Sequence, residues 1–229
     1  MHFLKDYIYF LKLPPKQELR LNCYKKYISS YKQRYFDTMN FNSSYTKLAA
    51  DLFLKYILAK QGAPLQEIFV GEFGKPYLLN SKLNFNISHS DSFLVCVIST
   101  QNIGVDIEKK RVVNNVESIA SRFFLKDEYV AIKQCSADSK IDLFFKFWTL
   151  KESFAKMLGT GIFKEIKSIS FTGHIKTKFC LHVQEKKYFF ECFDNQEYVI
   201  SVCSEEKRNS SIKQVCWCEV LQFYNDLGV

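Results

Sequence analysis

Glycine and proline are scarce, 8 and 4 residues in a chain of 229. That scarcity, with no low-complexity tract and no exact repeat, argues against long flexible linkers. Long apolar runs are missing too: the longest, such as Phe93 to Ile98, fall far short of the roughly 20 residues that a membrane-spanning helix needs. Lys5 and Asp6 interrupt the start too early for a secretory signal. The expectation is a cytoplasmic protein with no membrane association. The 8 cysteines include no Cys-x-x-Cys pair, and several, such as Cys96, sit inside apolar strand-like runs. Reduced, buried thiols are therefore expected rather than a disulfide framework. Like charges never gather into a block, and there is neither an arginine-rich arm nor a basic stripe with interleaved aromatics, so a nucleic-acid partner is not expected.

What is present is apolar mass and positive charge. Hydrophobic residues make up 47% of the chain and aromatics 16%, enough for a substantial core in a chain sized between one large domain and two small ones. A net charge of +8 suits an anionic partner, with a compact phosphate ligand or an acidic protein ahead of a polymer.

After an aromatic, extended start (Phe3 to Leu11), Tyr45, Leu48, Ala49, Leu52 and Tyr56 recur at helical spacing. They predict a long helix capped by Ser43 or Ser44 and ending near Gly62. Strand-like segments follow at Phe85 to Ser88, Phe93 to Ser99 and Ile103 to Glu108. The second half repeats the order, with a helix over about Leu143 to Leu158. Strand-like pieces then lie near Ile166 to Thr172, Phe179 to Gln184, Lys187 to Phe193, Tyr198 to Cys203 and Val215 to Leu221. The expected fold class is α+β: two similar halves, 1–108 and 109–229, each packing a long helix on a small sheet.

Chemistry concentrates in three segments. In Ile103-Gly104-Val105-Asp106-Ile107-Glu108, alternation sends Asp106 and Glu108 to one strand face, their backbones about 6.5 Å apart. Two carboxylates so placed can converge on one hard cation; the same face is also what a solvated strand edge presents. On the second helix, Glu152 and Lys156 lie four apart, ordinarily a surface pair worth about 0.2–0.5 kcal/mol. Trp148 one turn earlier gives that face the look of a groove wall. In the third segment Gly74-Lys75-Pro76 predicts a tight turn presenting a lysine, and Ser88 with His89 offers donors to a phosphate or purine at a strand end.

Taken together, GKPYL, FNISHS, GVDIE, RFFLKDE and FWTLKESFAK resemble, in order and spacing, the motif series of the Sfp-type 4′-phosphopantetheinyl transferases. The likeness covers roughly residues 40 to 165, and GVDIE with WTLKES is its most specific part. It implies a monomer of two mainly antiparallel helix-on-sheet subdomains related by a pseudo-twofold axis. It further implies transfer of the phosphopantetheine arm of coenzyme A to a serine of an apo acyl or peptidyl carrier protein, releasing 3′,5′-ADP. By the same resemblance Asp106, Glu108 and Glu152 would hold Mg²⁺, with Mn²⁺ as an alternative, at a junction of the two halves. Lys75, Pro76, Ser88, His89, Thr46 and Lys156 would contact coenzyme A, and Lys32 and Arg34 are candidates for its 3′-phosphate. Glu152, or Glu128 acting through water, would accept the serine proton, and Lys156 would stabilise the leaving phosphate. Gly159 to Ser168, with Ile162, Phe163, Lys164 and Lys167, is the expected carrier-docking surface. Another Mg²⁺-dependent phosphoryl transferase would need a different substrate pocket, and a non-catalytic binder would have no use for Asp106, Glu108, Glu152 and Lys156 together.

Overall fold

The computed structural model describes residues 6–15, 21–36, 41–63, 67–161, 167–174 and 176–228. In chain order it contains β1 (Tyr7–Lys12), a 3-10 helix (Leu21–Tyr27), α1 (Ser30–Phe36), α2 (Phe41–Lys60), β2 (Ile68–Val70), β3 (Pro76–Leu78), β4 (Asn84–Ser90) and β5 (Phe93–Ser99). There follow β6 (Ile103–Lys109), α3 (Val116–Phe123), α4 (Lys126–Gln134), α5 (Ala137–Leu158), β7 (Lys178–Val183), β8 (Lys186–Asp194), β9 (Tyr198–Ser204), β10 (Ser211–Gln214) and α6 (Trp217–Asp226). Among the described residues no helix is long and apolar enough to cross a membrane.

The chain divides into two compact units, Met1–Thr100 with Ser210–Val229, and Gln101–Asn209. This differs from the expected division after Glu108. The strand β6 belongs wholly to the second unit because it pairs antiparallel with β9 along its whole length, Ile103 opposite Ser204 through Lys109 opposite Tyr198. The last residues return to the first unit because β10 pairs parallel with β1, Tyr7 opposite Ser211. Both pairings join residues far apart in sequence, which local patterning does not reveal.

In the first unit the sheet order is β10-β1-β5-β4, beside a two-stranded ribbon of β2 and β3. The helical-period residues of α2 bury as expected, Tyr45, Leu48, Ala49, Leu52 and Tyr56 among them, in a core shared with β1, β4 and β5. The helix starts at Phe41, ahead of both Ser43 and Ser44, so neither caps it. Val215 to Leu221 is not a strand. The strand β10 ends at Gln214, and Glu219 turns back to accept the Cys216 N–H at 3.2 Å, opening α6. Trp217, Val220 and Tyr224, spaced for one helix face, bury in the core, and the Tyr224 hydroxyl donates to the Leu52 carbonyl at 2.8 Å.

In the second unit four antiparallel strands run β6-β9-β8-β7. The helix α5 lies on β6 and β9, sending Phe147, Leu150 and Phe154 into a core with Phe171, Tyr188 and Phe190. It begins already at Ala137 and stops at Gly159, whose φ of 71° suits a residue without Cβ. Each unit is thus a long helix with a mainly antiparallel sheet, the α+β class expected.

The stretch 167–172 is not a strand, although its alternation resembles one; Ile166 lies outside the described residues. Its backbone is satisfied by side chains instead of a neighbouring strand. Lys151 Nζ donates to the Ile169 carbonyl at 2.7 Å, and Glu128 Oε1 accepts the Phe171 N–H at 3.0 Å. Lys151 and Glu128 also pair with each other at 2.9 Å, both fully buried, and Glu128 Oε2 accepts the Leu125 N–H at 3.0 Å. Burial pulls the Lys151 ammonium below its usual range, against the opposing pull of Glu128. E128Q is expected to destabilise the protein by about 3–5 kcal/mol, because it strands a buried ammonium. Urea unfolding would read this as a lower midpoint at unchanged slope, and a loss under about 1 kcal/mol would contradict it.

The cysteine expectation holds in part. Cys96, Cys192 and Cys203 are buried thiols outside any disulfide, but Cys216 and Cys218 are joined by a disulfide, which i, i+2 spacing at a helix start permits with Cα atoms 5.2 Å apart.

Candidate active site

The site starts with a glycine. On β6, Gly104, Asp106 and Glu108 share one face, and α5 covers it so closely that a Cβ on Gly104 would lie 2.0 Å from the Ser153 carbonyl oxygen and 2.4 Å from the Met157 nitrogen. The polar face of β6 is therefore not a solvated edge. Asp106 is only 4% exposed.

Close packing brings the helical acid-base pair over the strand. Lys156 Nζ donates to Asp106 Oδ1 at 2.6 Å. One turn earlier, Glu152 is pushed up to about 7, first by burial and then by the negative charge of Asp106, with Lys156 opposing and Glu108 adding to the rise. Glu108 is half-buried and paired with Arg111, Nη1 to Oε2, at 3.0 Å. Asp106, Glu108, Glu152 and Lys156 thus form one electrostatic cluster on β6 and α5, both elements of the second unit.

The raised Glu152 gives a pH signature for the metal-free protein. Its folded pKa lies above the ordinary glutamate value of about 4.3, so the folded state holds the proton more tightly than the unfolded chain. Stability from this group is full below that ordinary value and is lost as pH rises through about 7. Unfolding free energies measured with chelator present should show wild type losing stability relative to E152Q between about pH 5 and pH 8. A difference that stays flat across that range would contradict the assignment.

Among the described residues no three acidic, imidazole or thiol groups are already gathered as a metal centre. The donor set nevertheless fits a hard divalent cation: three carboxylates, two from one strand face and one from the covering helix. A cation would offset the negative charge of Asp106 and Glu108, which adds to burial in raising Glu152. The chain's own cations engage two of these groups, Lys156 at Asp106 and Arg111 at Glu108.

Glu128 is placed differently. It is fully buried and its oxygens are engaged by Lys151 and two backbone N–H groups. Trp148 is half-buried and stacks on Phe144, with ring centroids 5.9 Å apart, against Phe123 and Phe124.

The remaining candidates for coenzyme A lie in the first unit. Lys75 follows Gly74, whose φ is 82°, in the turn before β3, and Pro76 opens that strand. Both are half-buried, as is Thr46 on α2. Ser88 is buried and His89 exposed near the end of β4. Lys32 is already engaged, 3.1 Å from the buried Asp51, which also accepts from the Ser29 N–H at 2.8 Å. The side chain of Arg34 lies outside the described residues, as do Ile162, Phe163 and Lys164; Lys167 is exposed.

Sequence reasoning missed Arg111, Lys151 and Asp51. Each acts as a counter-charge to a residue singled out in advance, and only Arg111, three residues after Glu108, carries a local signal.

The family model of the 4′-phosphopantetheinyl transferase superfamily matches residues 102–203, nearly all of the second unit. A 4′-phosphopantetheinyl transferase, gsp, of Aneurinibacillus migulanus is 32% identical over 206 residues, 85% of this chain and 84% of that protein. The transferase Sfp of Bacillus subtilis (strain 168) is 38% identical over 104 residues, 45% of this chain and 46% of Sfp. The L-aminoadipate-semialdehyde dehydrogenase-phosphopantetheinyl transferase of Xenopus laevis is 27% identical over 219 residues, 83% of this chain and 72% of that protein. The chain belongs to the 4′-phosphopantetheinyl transferase superfamily and is an enzyme of that type.

Proposed function

We propose that this enzyme transfers the 4′-phosphopantetheine group of coenzyme A to a serine hydroxyl of an apo acyl or peptidyl carrier protein, releasing 3′,5′-ADP. The observation that carries the reading is the contact of Lys156 with Asp106 at 2.6 Å beside a glutamate whose pKa is pushed up to about 7.

Asp106, Glu108 and Glu152 would hold Mg²⁺, or Mn²⁺ in its place. When bound, the ion supplies positive charge against the pyrophosphate of coenzyme A and the charge growing on the leaving oxygen. The chain's own residues do the rest. Serine must lose a proton as its oxygen attacks the β-phosphorus, and a carboxylate beside the reacting groups with an oxygen not committed to the fold is suited to accept it. That favours Glu152 over Glu128, whose oxygens already serve Lys151 and two backbone groups. Lys156 stands one turn beyond Glu152, placed to exchange Asp106 for the departing phosphate.

Lys75, Pro76, Ser88, His89 and Thr46 remain the proposed contacts for coenzyme A. Lys32 would reach its 3′-phosphate only by exchanging its ion pair with Asp51. Carrier proteins of this kind are acidic, and a net charge of +8 favours their encounter through electrostatic steering. Two helix-on-sheet units in one chain support a monomer, and a cytoplasmic enzyme completes the reading.

The test is direct. The protein is incubated with an apo carrier protein, coenzyme A and Mg²⁺, and the carrier is examined by mass spectrometry for a phosphopantetheine adduct on serine. Absence of any adduct across several carrier types, with the enzyme demonstrably folded, would refute the proposal.

A further inference from the structure

Two exposed cysteines, Cys216 and Cys218, flank the buried Trp217 at the start of α6 and are joined by a disulfide. The proposed transfer has no use for them. We propose that this pair is a thiol–disulfide exchange site, opened by small thiols and closed again by their disulfides.

The ring spans only three residues, so it constrains the unfolded chain very little. The helix does not depend on it for its place. Trp217, Val220 and Tyr224 are buried, the Tyr224 hydroxyl holds the Leu52 carbonyl, and Tyr24 donates to Asn225 Oδ1 at 2.9 Å. The bond can open without α6 leaving its seat.

Local electrostatics favour the exchange. Cys216 is the N-cap of α6, and its Sγ accepts the Cys218 N–H at 3.4 Å. A thiolate at Cys216 is therefore stabilised by the helix N-terminus. The nearby Glu219 carboxylate opposes this, but its oxygens are engaged by the Cys216 N–H and the Tyr56 hydroxyl. Cys96 and Cys192 differ in kind: both are buried, and burial pushes both thiols up.

The chemistry balances without a further reactant. An incoming thiolate attacks the Cys218 sulfur, forming a mixed disulfide and releasing the Cys216 thiolate. A second thiolate attacks the sulfur of the incoming group, releasing Cys218 and leaving the small thiol as its own disulfide. The protein gains two electrons and two protons, and two small thiols are oxidised. Excess small-molecule disulfide runs the sequence backwards.

The test uses the full chain carrying C23S, which removes the other exposed thiol among the described residues. The protein is purified without reductant, equilibrated with reduced or oxidised glutathione under native conditions, alkylated with iodoacetamide and mapped by mass spectrometry. The expected result is no label at Cys216 or Cys218 before reduction. Both should be labelled after reduced glutathione, and the label should be lost again after oxidised glutathione. Circular dichroism should be unchanged throughout, and C216S in oxidised glutathione should carry one glutathionyl group on Cys218. Both thiols labelled before any reductant, or a pair that reduces only after urea unfolding, would overturn the proposal.

Discussion

D106A is expected to lower phosphopantetheine transfer by about 10³-fold or more while leaving the fold intact. Asp106 meets both neighbours on α5: it accepts from Lys156 and its charge raises Glu152. Its removal takes away a proposed metal ligand and the partner that orients Lys156. Interactions aimed at charge that develops in the transition state contribute about 10²–10³-fold each, and here two are lost together. Stability should change little, because Lys156 is 29% exposed and its ammonium can turn to water. E152A should show a comparable loss of transfer. Single-turnover assays at saturating coenzyme A, with unfolding curves run in parallel, separate catalysis from stability. Near-normal transfer by either variant would refute the metal assignment.

G104A removes activity by another route. A single methyl group would sit 2.0 Å from the Ser153 carbonyl oxygen and 2.4 Å from the Met157 nitrogen. Both are backbone atoms of α5, so no side-chain rotation relieves the clash. The helix must move away from β6, separating Lys156 and Glu152 from Asp106. Overpacking a well-filled interior typically costs about 1–3 kcal/mol, and a clash against rigid backbone belongs at or above the top of that range. We expect about 3 kcal/mol or more, read as a lower urea midpoint, with transfer reduced in whatever protein remains folded. G71A is the control: its Cβ would meet only the Lys75 carbonyl oxygen, at an ordinary 3.5 Å. If G104A is as stable as G71A, the close approach of β6 and α5 is not what the structure describes.

Much of the candidate site was legible because its geometry is local. Alternation places Gly104, Asp106 and Glu108 on one strand face, and a spacing of four places Glu152 and Lys156 on one helix face. These periodicities follow from covalent geometry and do not depend on the rest of the chain. The contrast comes at residues 167–172, where apolar alternation predicts a strand and the chain instead rests its backbone on Lys151 and Glu128. Alternation reports which side chains are buried; it is silent on what satisfies the backbone. Glu128 shows the same limit. The motif RFFLKDE marks it for chemistry, but its partner Lys151 lies on another helix, and only their meeting makes it a buried anchor.

By itself the sequence determined the α+β class, the long helices, the carboxylate face of β6 and the acid-base pair of α5, because each is written in the period of a single element. Tertiary structure alone decided that β6 belongs with α5 and β9, that the chain's end returns to β1, and that Asp106 meets Lys156. Those facts depend on pairings between distant residues, where many partners satisfy the local pattern and only the packing of the whole unit selects among them.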